Sequence, residues 1–269
     1  MHLTHLLLTR FNVQAGYGDP KAGLDPKWLE YRFQLFEQFC YPSVCTQSKQ
    51  NFKWLVFFDD QTPEAFKSKI AVYARYKNLI PIYVHGYFSE SVLRTALSEH
   101  IASGSSHLIT TRLDNDDAVI RNFIELIQLQ FKGQSCEFIN FTQGYCLHNC
   151  KLYKTEDSSN PFISLIEALD GSPPKSVLCV AHNKLATIGN IYQVNNEPAW
   201  LQVIHRGNVS NIVRGTRQPL TLLGSQFVID LGTTMQQTDK LLLLKEEILY
   251  LFRLGRKVFR KLAGIVVRA

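Results

Sequence analysis

The sequence predicts an α/β fold: a doubly wound mixed sheet flanked by helices. Three observations predict it. Apolar runs of strand length alternate four times with helical patterns through the first half of the chain. The connections between those runs suit right-handed parallel crossovers. Two of the runs stop abruptly at aspartates, Asp59-Asp60 and Asp114-Asn115-Asp116-Asp117. The carboxyl ends of strands are where open α/β sheets meet their ligands.

Taken in order, His5 to Val13 reads as a buried strand ending in polar Thr9, Arg10 and Asn12, followed by a loop at Gly16, Gly18 and Pro20. Asp25-Pro26 opens a helix, with Asp as N-cap and Pro at the first helical position. Trp28, Tyr31, Leu35, Phe36 and Phe39 form its apolar face, and Tyr41-Pro42 is expected to end it. Lys53 to Phe58 is the second strand and a helix from Pro63 to Tyr76 follows; Ile80 to Val84 is the third strand, and Ser89 caps a helix reaching Ile101. The fourth strand runs into the acidic turn. Behind the turn a helix is predicted from Val119, capped by Asp116 or Asp117, with Ile120, Phe123, Ile124, Ile127 and Phe131 as its buried stripe.

The second half is more antiparallel and richer in loops. Cys136 to Asn140 is a strand, and Gly144–His148 with Lys151–Tyr153 suggests a hairpin. Residues 154–174 read as a polar loop around a short helix from Pro161 to Leu169. Ser176 to Ala181 and Trp200 to His205 complete the strands. The reading gives one domain, 1–235, with a nucleotide-binding half over about 1–120 and an acceptor half over 121–235, and a separate tail, 236–269.

With 269 residues, 45% hydrophobic and 12% aromatic, the chain is large enough for such a core. Its six cysteines fit no zinc spacing and read as reduced thiols. The start has no signal-peptide pattern and no stretch is long enough to span a membrane, so the expected location is the cytoplasm. Net charge is +6, and the segment from Lys240 onward, with eight basic and two acidic residues, carries all of it. A neutral body with a basic tail argues against nucleic acid as a partner. Across 238–267, Leu241, Leu244, Ile248, Leu251 and Phe252 share one helical face and Lys245, Arg253, Arg256 and Lys257 the other. That pattern fits attachment to the anionic inner face of the cytoplasmic membrane; the alternative is packing on protein.

The acidic turn carries the chemistry. Asp114 and Asp116, two apart in an extended or turning segment, can aim to one side. Paired oxygen ligands suit a hard divalent cation, which keeps positions free for phosphate oxygens. The competing explanation is structural: aspartate and asparagine also build turns and cap helices.

The ordered set of motifs resembles the nucleotide-sugar-dependent glycosyltransferases of the GT-A fold, and most closely a bacterial rhamnosyltransferase family. The residues that carry the resemblance are Leu8-Thr9-Arg10-Phe11-Asn12, Phe36 to Ser43, Trp54 to Pro63, Thr111 to Ala118, and Trp200 to His205 with Asn208. It covers about residues 1–235 and leaves the basic tail outside. It implies that Thr9 and Asp60 hold the base and ribose end of a dTDP- or UDP-sugar, that Arg94 approaches the diphosphate, and that Arg10 and Asp114 also belong to the nucleotide-sugar site. It further implies that Asp114, Asp116 and His205 hold Mn²⁺ or Mg²⁺ bridging the diphosphate, with Asp117 in support. The acceptor is then a hydroxyl of a glycan or glycolipid and the transfer inverting, with the proton taken by Glu197, or by Glu167 or His182. Two other classes compete. A nucleotidyltransferase also uses sheet-edge aspartates, although Gln14 to Asp19 makes a poor phosphate loop. A non-catalytic membrane scaffold would use the acids only as caps.

Overall fold

The computed structural model describes residues 2–15, 19, 21–180, 182–195, 197–205 and 213–232. The predicted tail helix and Asn208 lie outside the described residues. Two mixed sheets form the body. In the larger one, β1 (Leu3–Arg10), β2 (Lys53–Asp59), β3 (Leu79–Val84) and β4 (His107–Arg112) run parallel in the order β3-β2-β1-β4. The strands alternate their side chains between two cores, as a sheet covered on both faces requires. Leu7, Trp54, Val56, Phe58 and Ile109 face α1 (Pro26–Leu35) and α3 (Glu64–Tyr73). Leu6, Leu8, Leu55, Phe57 and Leu108 face α4 (Glu90–His100) on the other side. The predicted caps hold: Asp25 accepts the Trp28 N–H at 2.8 Å and Ser89 that of Val92 at 3.3 Å.

The helix opened by Asp25 does not stop at Pro42. It widens into a π-turn at Phe36–Cys40 and continues as α2 (Tyr41–Cys45). The wide turn carries the Tyr41 N–H to Phe36 O. Pro42 has no N–H to offer Gln38 O, four residues back, and the Asp230 N–H donates there instead at 2.8 Å.

The predicted helix over 161–169 is a strand. β9 (Ser164–Ala168) lies antiparallel to both β4 and β6 (Cys136–Phe141), inside the large sheet. Ser164 to Glu167 are all buried, so periodicity could not separate strand from helix there. β10 (Asn190–Val194) closes that edge, parallel to β6. Residues 176–180 form no strand; Val177 N–H donates to Thr110 Oγ1 at 2.8 Å in a loop.

The helix predicted from Val119 also differs. Ala118–Val119 is a strand, β5, and the helix α5 begins four residues later, at Phe123–Gln128. β5 pairs antiparallel with β11 (Trp200–Ile204), which runs parallel to β7 (Gln143–His148). β7 forms the predicted hairpin with β8 (Lys151–Glu156), and β12 (Thr216–Gln218) completes the second sheet. Asn149 and Cys150, at φ 47° and 57°, make the two-residue turn of that hairpin. The acidic segment is therefore no helix cap. It is the corner where the chain leaves one sheet and enters the other.

Candidate functional site

The corner is clamped from both sides. Leu113 N–H donates to Leu8 O at 3.1 Å, and Asn115, fully buried, donates through Nδ2 to Phe11 O at 3.1 Å. Asp117 Oδ1 accepts the Val203 N–H at 2.8 Å, which fixes the corner to β11. These bonds leave the Asp114 and Asp116 side chains at the carboxyl edge of β1 and β4.

Each carboxylate meets an arginine. The fork of Arg112 donates to Asp114 from Nε at 3.1 Å and Nη2 at 2.8 Å. Asp116 Oδ2 accepts from Arg32 Nη1 at 2.9 Å and stands 2.8 Å from His205 Nε2. Arg32 Nη2 donates to Asn115 Oδ1, while Nη1 also lies 3.2 Å from His205 Nε2. Arg32 reaches the corner from α1, with its guanidinium over the Trp28 ring, and Tyr31 meets the His205 ring edge-on at 5.3 Å.

Electrostatics separate the three carboxyls. Burial acts to raise Asp114, but the Arg112 guanidinium, with Arg10 and Arg32 behind it, holds it below the usual carboxylate range. Burial pushes Asp117 well above that range, reinforced by Asp116 and Asp114 and opposed by the Val203 N–H. Like charges this close cannot all ionise cheaply.

The donor set suits a divalent cation. Asp116 offers an oxygen and His205 a nitrogen at one point, with Asp114 on the same turn. Among the described residues, no three His, Cys, Asp or Glu side chains already stand together as a ready-made cage. In their place the arginines neutralise the corner.

Of the other sequence-predicted residues, Arg10 is half-buried, and its electrostatic neighbours are Arg112 and Asp114. Asp60, at the end of β2, accepts from His85 at 2.8 Å and stays partly exposed. Thr9 is fully buried, and its Oγ1 accepts the Trp54 indole N–H at 2.9 Å. Arg94 turns along its own helix to Glu90 at 2.6 Å, half exposed.

None of the three candidate bases is placed at the corner by the described side chains. Glu197 is exposed and precedes β11, at the end away from His205; the rise of β11 alone is about 13 Å. Glu167 pairs in register with Leu108 at the start of β4, and its carboxylate takes the N–H groups of Lys175 and Ser176 at 2.8 and 3.0 Å. The His182 side chain lies outside what the structure describes.

Arg32, Arg112 and Asn115 were not singled out by the sequence reading. Arg32 left a trace: it is the one cation set within the apolar face formed by Trp28, Tyr31 and Leu35.

Residues 6–217 match the family described as "Putative rhamnosyl transferase", and the chain belongs to that family. The match spans β1 to β12 and includes the whole corner. Family membership supports glycosyl transfer over the nucleotidyltransferase and scaffold readings. Among solved structures the chain is similar to TarS of S. aureus, at 12% identity and TM-score 0.46, covering 76% of this chain and 37% of that one. It is also similar to HddC from Yersinia pseudotuberculosis, at 10% identity and TM-score 0.35, covering 74% and 92%. The chain thus spans about a third of TarS. No curated protein matches it.

Proposed function

We propose that the chain moves a sugar, rhamnose in the family's sense, from a dTDP- or UDP-sugar to a hydroxyl of a glycan or glycolipid, with inversion and with a divalent cation. The observation that carries this reading is the meeting of Asp116 and His205 at the carboxyl edge of the large sheet. The departing nucleoside diphosphate gains negative charge, and the site must supply positive charge against it. Asp114, Asp116 and His205 would hold Mn²⁺ or Mg²⁺, which supplies Lewis-acid stabilisation of that charge. Arg10 and Arg112, beside Asp114, add fixed cations at the same edge. Asp60 and its partner His85 line the end of β2, where the nucleoside would lie. The second sheet, anchored to the corner through Val203, forms the acceptor side.

The basic face predicted over 238–267 would place the enzyme on an anionic membrane that presents a lipid-linked acceptor. No helix of the described residues is long and apolar enough to cross a membrane. A screen of nucleotide sugars for diphosphate release, with and without Mn²⁺, tests the reading. Release that is indifferent to chelation rejects its metal element, and no release from any donor rejects the donor class.

A further inference from the structure

We infer that Arg32 is a built-in stand-in for the cation: it occupies the Asp116–His205 pair until a divalent ion arrives with the nucleotide, and then turns to the diphosphate. This rests on the proposed metal reading and assigns a function to a residue that reading does not use.

Three observations support the exchange. First, the Arg32 guanidinium lies where a cation would have to sit, 2.9 Å from Asp116 Oδ2 and 3.2 Å from His205 Nε2. Second, His205 Nε2 is asked for incompatible roles. It must donate to satisfy the Asp116 oxygen at 2.8 Å and accept to satisfy Arg32 Nη1, and one ring nitrogen does only one of these. A metal ion takes a lone pair from both the oxygen and the nitrogen and removes the conflict. Third, Arg32 is incompletely held: its Nε–H is buried and makes no hydrogen bond among the described residues. A diphosphate offers such a fork the bidentate partner it lacks.

The surroundings permit the movement. Arg32 is rooted on α1, and its guanidinium rests over the Trp28 ring at 5.4 Å, a face along which the head can turn without unpacking the helix. Exchange also keeps the charge of the corner in step with its load. Without ligand, arginines balance the carboxylates. With ion and diphosphate bound, the ion balances Asp116 and Arg32 meets the new anion. Because the ion and Arg32 compete for Asp116 while the diphosphate rewards Arg32 for leaving, ion and nucleotide must bind with positive coupling.

The test is Mn²⁺ titration followed by electron paramagnetic resonance, on wild type and on Arg32→Met, Arg32→Gln and Arg32→Lys, each without nucleotide and then with UDP. Wild type is expected to bind Mn²⁺ weakly alone and about tenfold more tightly with UDP. The two neutral variants are expected to bind Mn²⁺ alone about tenfold more tightly than wild type, and to lose most of the gain from UDP. Having two neutral variants guards against one that fails to fold. Arg32→Lys, which keeps the charge but not the fork, should bind Mn²⁺ alone about as weakly as wild type and gain less from UDP. Equal Mn²⁺ affinity in wild type and a folded neutral variant overturns the exchange while leaving the metal site standing. No bound Mn²⁺ in any protein, even with UDP, overturns the metal reading and the exchange together.

Discussion

His205 Nε2 lies 2.8 Å from Asp116 Oδ2, although 89 residues separate the two in the chain. The pairing of β11 with β5 brings them together, through Trp200 opposite Val119 and Leu201 opposite Ala118. A slip of one residue in that register would turn His205 to the other face. If the pair holds the cation, His205→Ala raises the Mn²⁺ concentration needed for half-maximal turnover by at least roughly tenfold. A metal titration of the rate reads this, and an unchanged midpoint removes His205 from the site.

Glu197 gives the opposite expectation. It is exposed and sits before β11, whereas His205 follows it, so Glu197→Gln should leave turnover within about twofold of wild type. A loss of a hundredfold in steady-state rate would restore Glu197 as the base.

Gly144 is fixed by a close approach rather than by its backbone angles. A Cβ there would run into the Trp200 ring, which stacks on Phe162 and donates its indole N–H to Phe141 O at 2.7 Å. Trp200 is hemmed in on several sides and cannot yield, so Gly144→Ala should cost about 1–3 kcal/mol. Thermal unfolding would show this as a lower midpoint. An unshifted midpoint would mean that the two strands sit further apart than described.

His5 makes stability depend on pH. Its ring is buried between Thr111 Oγ1, at 2.8 Å, and Gln128 Nε2, at 3.1 Å, and burial lowers its pKa from 6.5 to about 3. The folded state therefore resists the proton that the unfolded state accepts. The contribution is complete above pH 6.5 and is lost as pH falls from there toward about 3. Within that window unfolding should take up one proton at His5, a slope of about 1.4 kcal/mol per pH unit. Urea unfolding across the window measures it, and His5→Gln should flatten the profile by that one proton. An equal slope in both proteins contradicts the burial of a neutral ring.

The parallel half was legible because its strands are buried on both faces and its helices carry strong caps at Asp25 and Ser89. Asp114, Asp116 and His205 were legible as residue types that share a chemistry. Their surroundings were not. β5 is two residues long and exists only because β11, far along the chain, pairs with it, so no local pattern marks it. β9 is hidden for a related reason: a short run buried on both faces has no period to read. Pro42 failed as a stop signal because the carbonyl it strands is taken by Asp230, far along the chain. Arg32 enters the site through tertiary packing of α1 against the corner, which its helical spacing alone does not reveal.

The most direct test of the central claim is the rate of nucleoside diphosphate release by wild type and Asp116→Asn, each with Mn²⁺ and with chelator. Asparagine keeps the shape of the side chain, and a thermal melt of the variant checks that the fold survives beside Arg32. The account predicts release by wild type only with the metal, and a loss of about a hundredfold or more in Asp116→Asn. A folded Asp116→Asn protein turning over at the wild-type rate would contradict it.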